Sequence, residues 1–278
     1  MTPEDLLSDE ESLFTAPGVL EIEYLPRLMP FREDKQKYIA HCIDRLPSVS
    51  TNLVIQGPSG IGKTACVKWV FREFREKGSE DISLVYINCW RNDTLQKIAI
   101  DLCSQFGIQT SYRGQEEIQR AAFHRLKSMG PVAIVFDEVD RLQDDTLLYN
   151  FMEELSHKTI ILISTRKEFL AELDSRVRSR LMPETMEFAP YTLDQTQEIL
   201  SERREAAFVT GVWEANAFEI VVRKCFQQKD IRTGLALMKN AGIAAESDAS
   251  RKITMSHVKE AIEKMNIGSG EAAKLSDF

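Results

Sequence analysis

Disulfide pairing, membrane spans and a positive charge excess are all missing from this chain. Its five cysteines (Cys42, Cys66, Cys89, Cys103 and Cys225) are scattered and include no C-x-x-C pair. An odd, unclustered set argues against a disulfide framework and fits reduced thiols packed in the core of a cytoplasmic protein. No apolar run approaches the roughly 18 residues of a membrane span, so no membrane partner is expected. The N-terminus carries Glu4, Asp5, Asp9, Glu10 and Glu11, the opposite of a signal peptide. Lys plus Arg number 35 against 43 Asp plus Glu, a formal net charge of -8. That is not the footprint of a strong nucleic-acid binder, although a net value hides local patches. There is no internal repeat and no low-complexity block. What is present is a 278-residue chain that is 43% hydrophobic, enough for one large or two smaller domains.

One stretch organises the rest: LVIQGPSGIGKTACV, residues 53–67. An apolar run, Leu53 to Ile55, suits a buried strand. It turns through Gly57, Pro58, Ser59, Gly60 and Gly62, then enters a helical pattern at Lys63, Thr64 and Ala65. The spacing is that of a P-loop. Glycines let successive backbone N–H groups point inward at phosphate oxygens, and the helix N-terminus adds partial positive charge. Lys63 then reaches the β- and γ-phosphates, and the Thr64 hydroxyl ligates Mg²⁺. The plain alternative is a Gly-rich turn before a helix.

The remaining pattern predicts an α/β domain followed by a helical one. An arm, residues 1–31, docks through Leu13, Phe14, Leu20, Tyr24 and Leu25. A helix is expected from Arg32 to Leu46. After the P-loop helix come a strand at 84–88, helices at 94–106 and 115–129, and a strand at 132–136. A helix at 146–157, a strand at 159–164, a short helix at 167–173 and a short fifth strand at 186–188 follow. The continuous apolar strands fit a parallel sheet buried on both faces. After Pro190 no strand signal returns, and 192–208, 214–227, 231–245 and 256–265 read as amphipathic helices. The expected division is therefore an α/β domain at 32–189, a helical lid at 190–267 and a tail at 268–278.

Further residues carry chemistry. VAIVFDEVD (132–140) runs an apolar strand into two carboxylates, the Walker B form. Asp137 suits the Mg²⁺ shell and Glu138 the positioning or deprotonation of an attacking water. A strand ending in a solvated acidic turn has the same appearance. Ser164-Thr165 closes the fourth strand, expected to lie between the two motif strands, and puts a polar group near the γ-phosphate. Arg176, Arg178 and Arg180 are either a source of an arginine finger for a neighbouring subunit or surface ion pairs. Arg232, in the first turn of a helix, opposes the helix dipole and so either serves the nucleotide or sits at the surface.

This order resembles AAA+ ATPases, and more narrowly the archaeal origin-recognition and cell-division-control replication initiators. The resemblance runs from about Leu20 to Met265. It is carried by YLPRLMPFRED, VYINC, FDEVDRL, RVRSRLMPETMEFAPYTLDQTQEILSERREAAF and KDIRTGLALMKNAG. It implies that Ser59, Gly60, Ile61, Gly62, Lys63, Thr64 and Ala65 wrap the phosphates of ATP or ADP. Asp137 and Glu138 are then Walker B, and Thr165 is sensor 1, where the family usually has Asn. Arg180 is the arginine finger, Tyr191 and Arg203 line the base and lid side, and Arg232 is sensor 2. The family continues into a winged-helix domain that binds origin DNA, whereas this sequence stops just after the lid; weak duplex binding is expected.

The combined reading is an ATP-binding, slowly hydrolysing, Mg²⁺-dependent switch in replication initiation, with origin DNA and other initiator subunits as partners. Two rivals stand beside it: a nucleotide-gated protein-binding module, and a helper ATPase of a mobile element or stress-signalling system. Both have little DNA binding.

Overall fold

The structure of the chain, a computed structural model, describes residues 12–78 and 81–265. The expected tail at 268–278, and residues 1–11 of the expected arm, lie outside the described residues. Two compact units are formed. Met29–Pro190 makes one, and the other joins residues 12–28 to residues 191–265.

The first unit is built on five parallel strands: β1 (Leu53–Gln56), β2 (Ser83–Asn88), β3 (Val132–Asp137), β4 (Lys158–Ser164) and β5 (Glu184–Glu187). Their order across the sheet is β2-β3-β4-β1-β5. Every pair is parallel. Parallel strands need crossovers, and helices supply them. These are α2 (Lys63–Glu76), α3 (Leu95–Gln105), α4 (Gln115–Ser128), α5 (Leu147–Glu154), α6 (Phe169–Glu172) and α7 (Ser175–Leu181), while α1 (Glu33–Asp44) precedes the first strand. The two-residue side-chain period of each strand divides the core between the faces. Val132, Ile134 and Phe136 join a cluster with α3, α4 and α5. Ala133 and Val135 join one with α1 and α2. This double burial explains why the strands are apolar at consecutive positions.

Register sets the functional edge. Gln56 pairs with Ser164, Asp137 with Ile163, and Asn88 with Asp137. The C-terminal ends of β1, β4, β3 and β2 therefore lie in a row, where ligands of open α/β sheets gather. The expectation that β4 separates the two motif strands holds. β5 begins earlier than expected, because its ladder with β1 and not its apolar pattern defines it. Only Met186 of that strand is buried. α5 and α6 are shorter than their patterns suggested.

The second unit consists of α8 (Leu193–Ala207), α9 (Ala215–Gln228), α10 (Ile231–Ser247) and α11 (Met255–Lys264), with a 3₁₀ turn at Pro17–Leu20. A shared core of Leu13, Leu20, Leu200, Phe208, Leu237 and Val258 ties the arm to these helices. The Phe14 ring lies 4.7 Å from that of Phe208, and the Thr15 amide donates to the Ala207 carbonyl at 2.9 Å. Gly242 permits this approach, since a Cβ there would stand 2.4 Å from the end of the Phe14 ring. All five cysteines are free and buried. Among the described residues no helix is long and apolar enough to cross a membrane.

Candidate phosphate and metal site

β1 delivers the chain to a loop whose shape depends on glycine. Gly57 has φ 148°. A Cβ there would meet the Phe188 carbonyl oxygen at 2.4 Å and the Ile61 side chain at 2.9 Å. Gly62 caps α2 in the left-handed region at φ 89°. Ile61 is buried in the core, so its contribution to the loop is its backbone. Ser59 is exposed, while Gly60, Gly62, Thr64 and Ala65 are half-buried around the turn. The first turn of α2 holds no acidic residue to oppose an incoming anion. Lys63 is buried, and its ammonium donates to the Gly57 and Pro58 carbonyls, both at 2.6 Å. The cation is thus folded over the loop, on neutral oxygens that phosphate oxygens would replace with stronger, charge-assisted bonds.

The acidic pair meets this loop across β4. Asp137 is 2% exposed. The Thr64 hydroxyl donates to its Oδ2 at 2.8 Å. The Glu138 amide donates to its Oδ1 at 3.0 Å, and the Tyr86 phenol donates to Oδ2. Tyr86 stands diagonal to Asp137, two residues before its ladder partner Asn88 and on the same face. Burial first, and then the Asp137 charge, push the phenol pKa well up, so it keeps its proton. A serine- or threonine-type hydroxyl beside one carboxylate is a hard, all-oxygen donor set of the sort that Mg²⁺ takes when phosphates complete its shell. Among the described residues no group of three or more His, Cys, Asp or Glu is placed to hold a metal by itself.

Glu138 follows at φ 54°, ψ 45°, half-exposed. Left-handed backbone in a non-glycine residue is strained and is found preferentially at working sites. A 3₁₀ turn, Val139–Arg141, continues the chain and is pinned by buried Val139. In that turn Asp140 accepts the Thr165 hydroxyl at 3.0 Å and its amide at 3.3 Å. Thr165 is exposed at the end of β4, while Ser164 is turned inward and bonds to Arg166. Lys63, Thr64, Asp137, Glu138 and Thr165 are therefore carried by three adjacent strand ends.

Arg180 is engaged elsewhere in the same unit. It pairs with Glu153 and donates to the Tyr149 hydroxyl at 3.0 Å, over whose ring it lies. Arg176 pairs with Asp174, and Arg178 donates to the Ala171 carbonyl. In the second unit, Tyr191 is buried and lines a small cleft with Thr196, Cys225, Lys229 and Asp230, at the start of α10. Arg232 sits there too, paired with Asp230 at 3.0 Å. That carboxylate is also the N-cap of α10, so it offsets the charge that Arg232 brings to the wrong end of a helix. Arg203 donates to the Val19 carbonyl and lies 4.8 Å from the Tyr24 ring, so the arm takes up its guanidinium.

Three residues of the first site escape a reading of the sequence. Tyr86 looks like one more apolar strand residue, Asp140 like a solvated turn, and Arg32 like a helix start. Arg32 is in fact 7% exposed and donates to the Ile61 and Ala189 carbonyls at 3.2 and 2.8 Å. It holds the P-loop turn to the exit of β5. A charge preceding an α/β core is too common a pattern to single it out.

Residues 48–187 match a family model described as an AAA domain, and residues 197–263 match the Cdc6 AAA+ ATPase-type lid domain. The chain is 31% identical over 266 residues to an ORC1-type DNA replication protein of Desulfurococcus amylolyticus, covering 90% of this chain and 68% of that protein. It is 31% identical over 253 residues to ORC1-type DNA replication protein 1 of Sulfurisphaera tokodaii, covering 86% of this chain and 64% of the relative. The chain thus spans about two thirds of the length of these relatives. Among solved structures it is similar to the Aeropyrum pernix ORC1 protein in complex with DNA, with TM-score 0.84, 26% identity, and coverage of 92% of this chain and 71% of that one. The fold alone is also shared with Cdc6p from Pyrobaculum aerophilum, at TM-score 0.80 and 18% identity, covering 91% of this chain and 72% of that one.

Proposed function

The chain belongs to the ORC1-type DNA replication proteins, an AAA+ family, and from that premise we propose that it is a nucleotide-dependent switch acting in replication initiation. The observation that carries this reading is the meeting of Thr64 with Asp137 across β4, beside a Lys63 already folded over the P-loop. Backbone N–H groups of residues 59–65 and the α2 N-terminus hold the phosphates of ATP or ADP, and Lys63 supplies the fixed cation. Thr64 and Asp137 hold Mg²⁺, which neutralises charge on the β- and γ-phosphates when bound. Glu138 orients the attacking water and takes its proton. Thr165, held by Asp140, faces the same edge. Turnover is slow and Mg²⁺-dependent.

Arg180 leaves Glu153 to reach a neighbouring subunit's nucleotide, and Tyr191, Arg203 and Arg232 close the lid side. Other initiator subunits and origin DNA are the partners, and the cytoplasm the location. The net charge of -8 favours weak contact with DNA by this chain, which keeps a nucleotide-gated protein-binding module as the second reading. ATP binding by the folded Lys63→Ala protein tests the first. We expect a loss of affinity of about 1.5–3 kcal/mol, the scale of a charge-assisted hydrogen bond. Unchanged affinity would remove the P-loop assignment. Single-turnover hydrolysis with and without DNA separates the two readings.

A further inference from the structure

We propose that Tyr86 is a positioning residue, whose phenol fixes the Asp137 carboxylate in the orientation a divalent cation requires. The proposal rests on the reading of Thr64 and Asp137 as the metal-holding pair. Asp137 receives three donors: the Thr64 hydroxyl, the Glu138 amide and the Tyr86 phenol. The Glu138 amide holds Oδ1 and leaves the placement of Oδ2 to the other two donors. The Thr64 hydroxyl is itself assigned to the metal, so its position shifts with occupancy. Tyr86 is the donor that is independent of both.

The phenol is itself held from several sides. β2 is the outer strand of the sheet, with β3 as its one ladder neighbour. On its open edge, Gln105 of α3 donates to the Tyr86 carbonyl at 2.9 Å and to Asp101 at 2.8 Å. The Lys68 ammonium of α2 lies 4.8 Å from the centre of the Tyr86 ring. Backbone and ring are thus each anchored by a different helix. A ligating carboxylate that is oriented by an outer hydrogen bond binds metal more tightly, because it need not be ordered on binding. Loss of such an outer partner typically costs about 10–100-fold in metal affinity.

Tyr86→Phe removes the hydroxyl and keeps the ring and its Lys68 contact. The full chain would be saturated with ADP and titrated with Mn²⁺, with free ion counted by electron paramagnetic resonance. ADP affinity in EDTA would be measured alongside. Thermal unfolding of each protein controls for folding. We expect Mn²⁺ affinity of the ADP complex to fall by about tenfold or more, with ADP affinity in EDTA held within about twofold. Unchanged Mn²⁺ affinity would overturn the proposal. So would an equal loss of ADP affinity in EDTA, which marks general damage to the site. Gln105→Leu is the second variant, releasing the Tyr86 backbone while keeping the phenol. A tenfold loss of Mn²⁺ affinity there, without one in Tyr86→Phe, would assign the effect to the placement of β2 instead. If the parent ADP complex binds Mn²⁺ no tighter than free ADP does, the assignment of Thr64 and Asp137 fails first, and Tyr86 loses its role with it.

Discussion

Glu138 holds a backbone conformation that costs a non-glycine residue about 1–3 kcal/mol. The flanking residues impose it: Asp137 is fixed from three sides and Val139 is anchored in the core. Substitution of the side chain alone leaves that cost in place. Glu138→Gln is therefore expected to fold and bind ATP as the parent does, while hydrolysis falls by about 10²–10⁴-fold, the usual contribution of a positioned base. Undiminished turnover in a rapid-quench assay would show that another group directs the water. At this scale the sequence was partly legible. Lys63, Thr64, Asp137 and Glu138 stand in spacings whose chemistry is readable, because neighbouring residues carry it. Tyr86, Asp140 and Arg32 act through strand register and long-range contact. The register that sets Tyr86 diagonal to Asp137 is absent from any local pattern.

Among the elements, α10 shows why a poor helix former is retained. A mid-helix glycine costs about 1 kcal/mol relative to alanine. Gly242 nonetheless lies within α10, with the Phe14 and Phe208 rings against it at distances a Cβ could not share, 2.4 and 2.8 Å. Forcing atoms into such a contact costs about 1–3 kcal/mol, which outweighs the gain in propensity. Gly242→Ala is expected to lower the stability of the second unit by about 1–2 kcal/mol in urea melts. It should also raise amide exchange in residues 12–20, whose docking runs through Phe14. Faster exchange in α11 alone would contradict this. The helices of this unit were readable from their 3.6-residue period, as were β3 and β4 from continuous apolar runs. β5 was displaced because an edge strand with one buried residue leaves little pattern, and the place where the arm docks was set by packing that no window of sequence contains.

For the molecule as a whole, buried thiols and net charge give two expectations. Burial holds the thiols of Cys66 and Cys225 up near about 12, against about 8.5 in an unfolded chain. The folded state thus keeps protons that the unfolded state releases. Stability is fully present below about pH 8.5 and is lost as pH rises from there toward 12, by up to about 1.4 kcal/mol per pH unit for each thiol. Urea midpoints should fall between about pH 8 and 10, and native protein should resist alkylation; a flat profile would mean the thiols are reached by water. Net charge governs the second expectation. With -8 overall, this chain should bind duplex no tighter than roughly micromolar at physiological salt, with little preference for sequence. Nanomolar, sequence-selective binding in an anisotropy titration would show that local positive patches outweigh the total.

The place of β4 has one more consequence. The strands that carry the phosphate loop and the acidic pair are not neighbours; each is paired to β4 and neither to the other. Each half keeps a second ladder of its own, β1 with β5 and β3 with β2, and β4 is the strand that joins them. Opening of β4 would break both of its ladders, so amide exchange in this strand and loss of nucleotide affinity are expected to respond together. The exchange protection of this one strand is therefore a readout of how firmly the two halves of the site are held together.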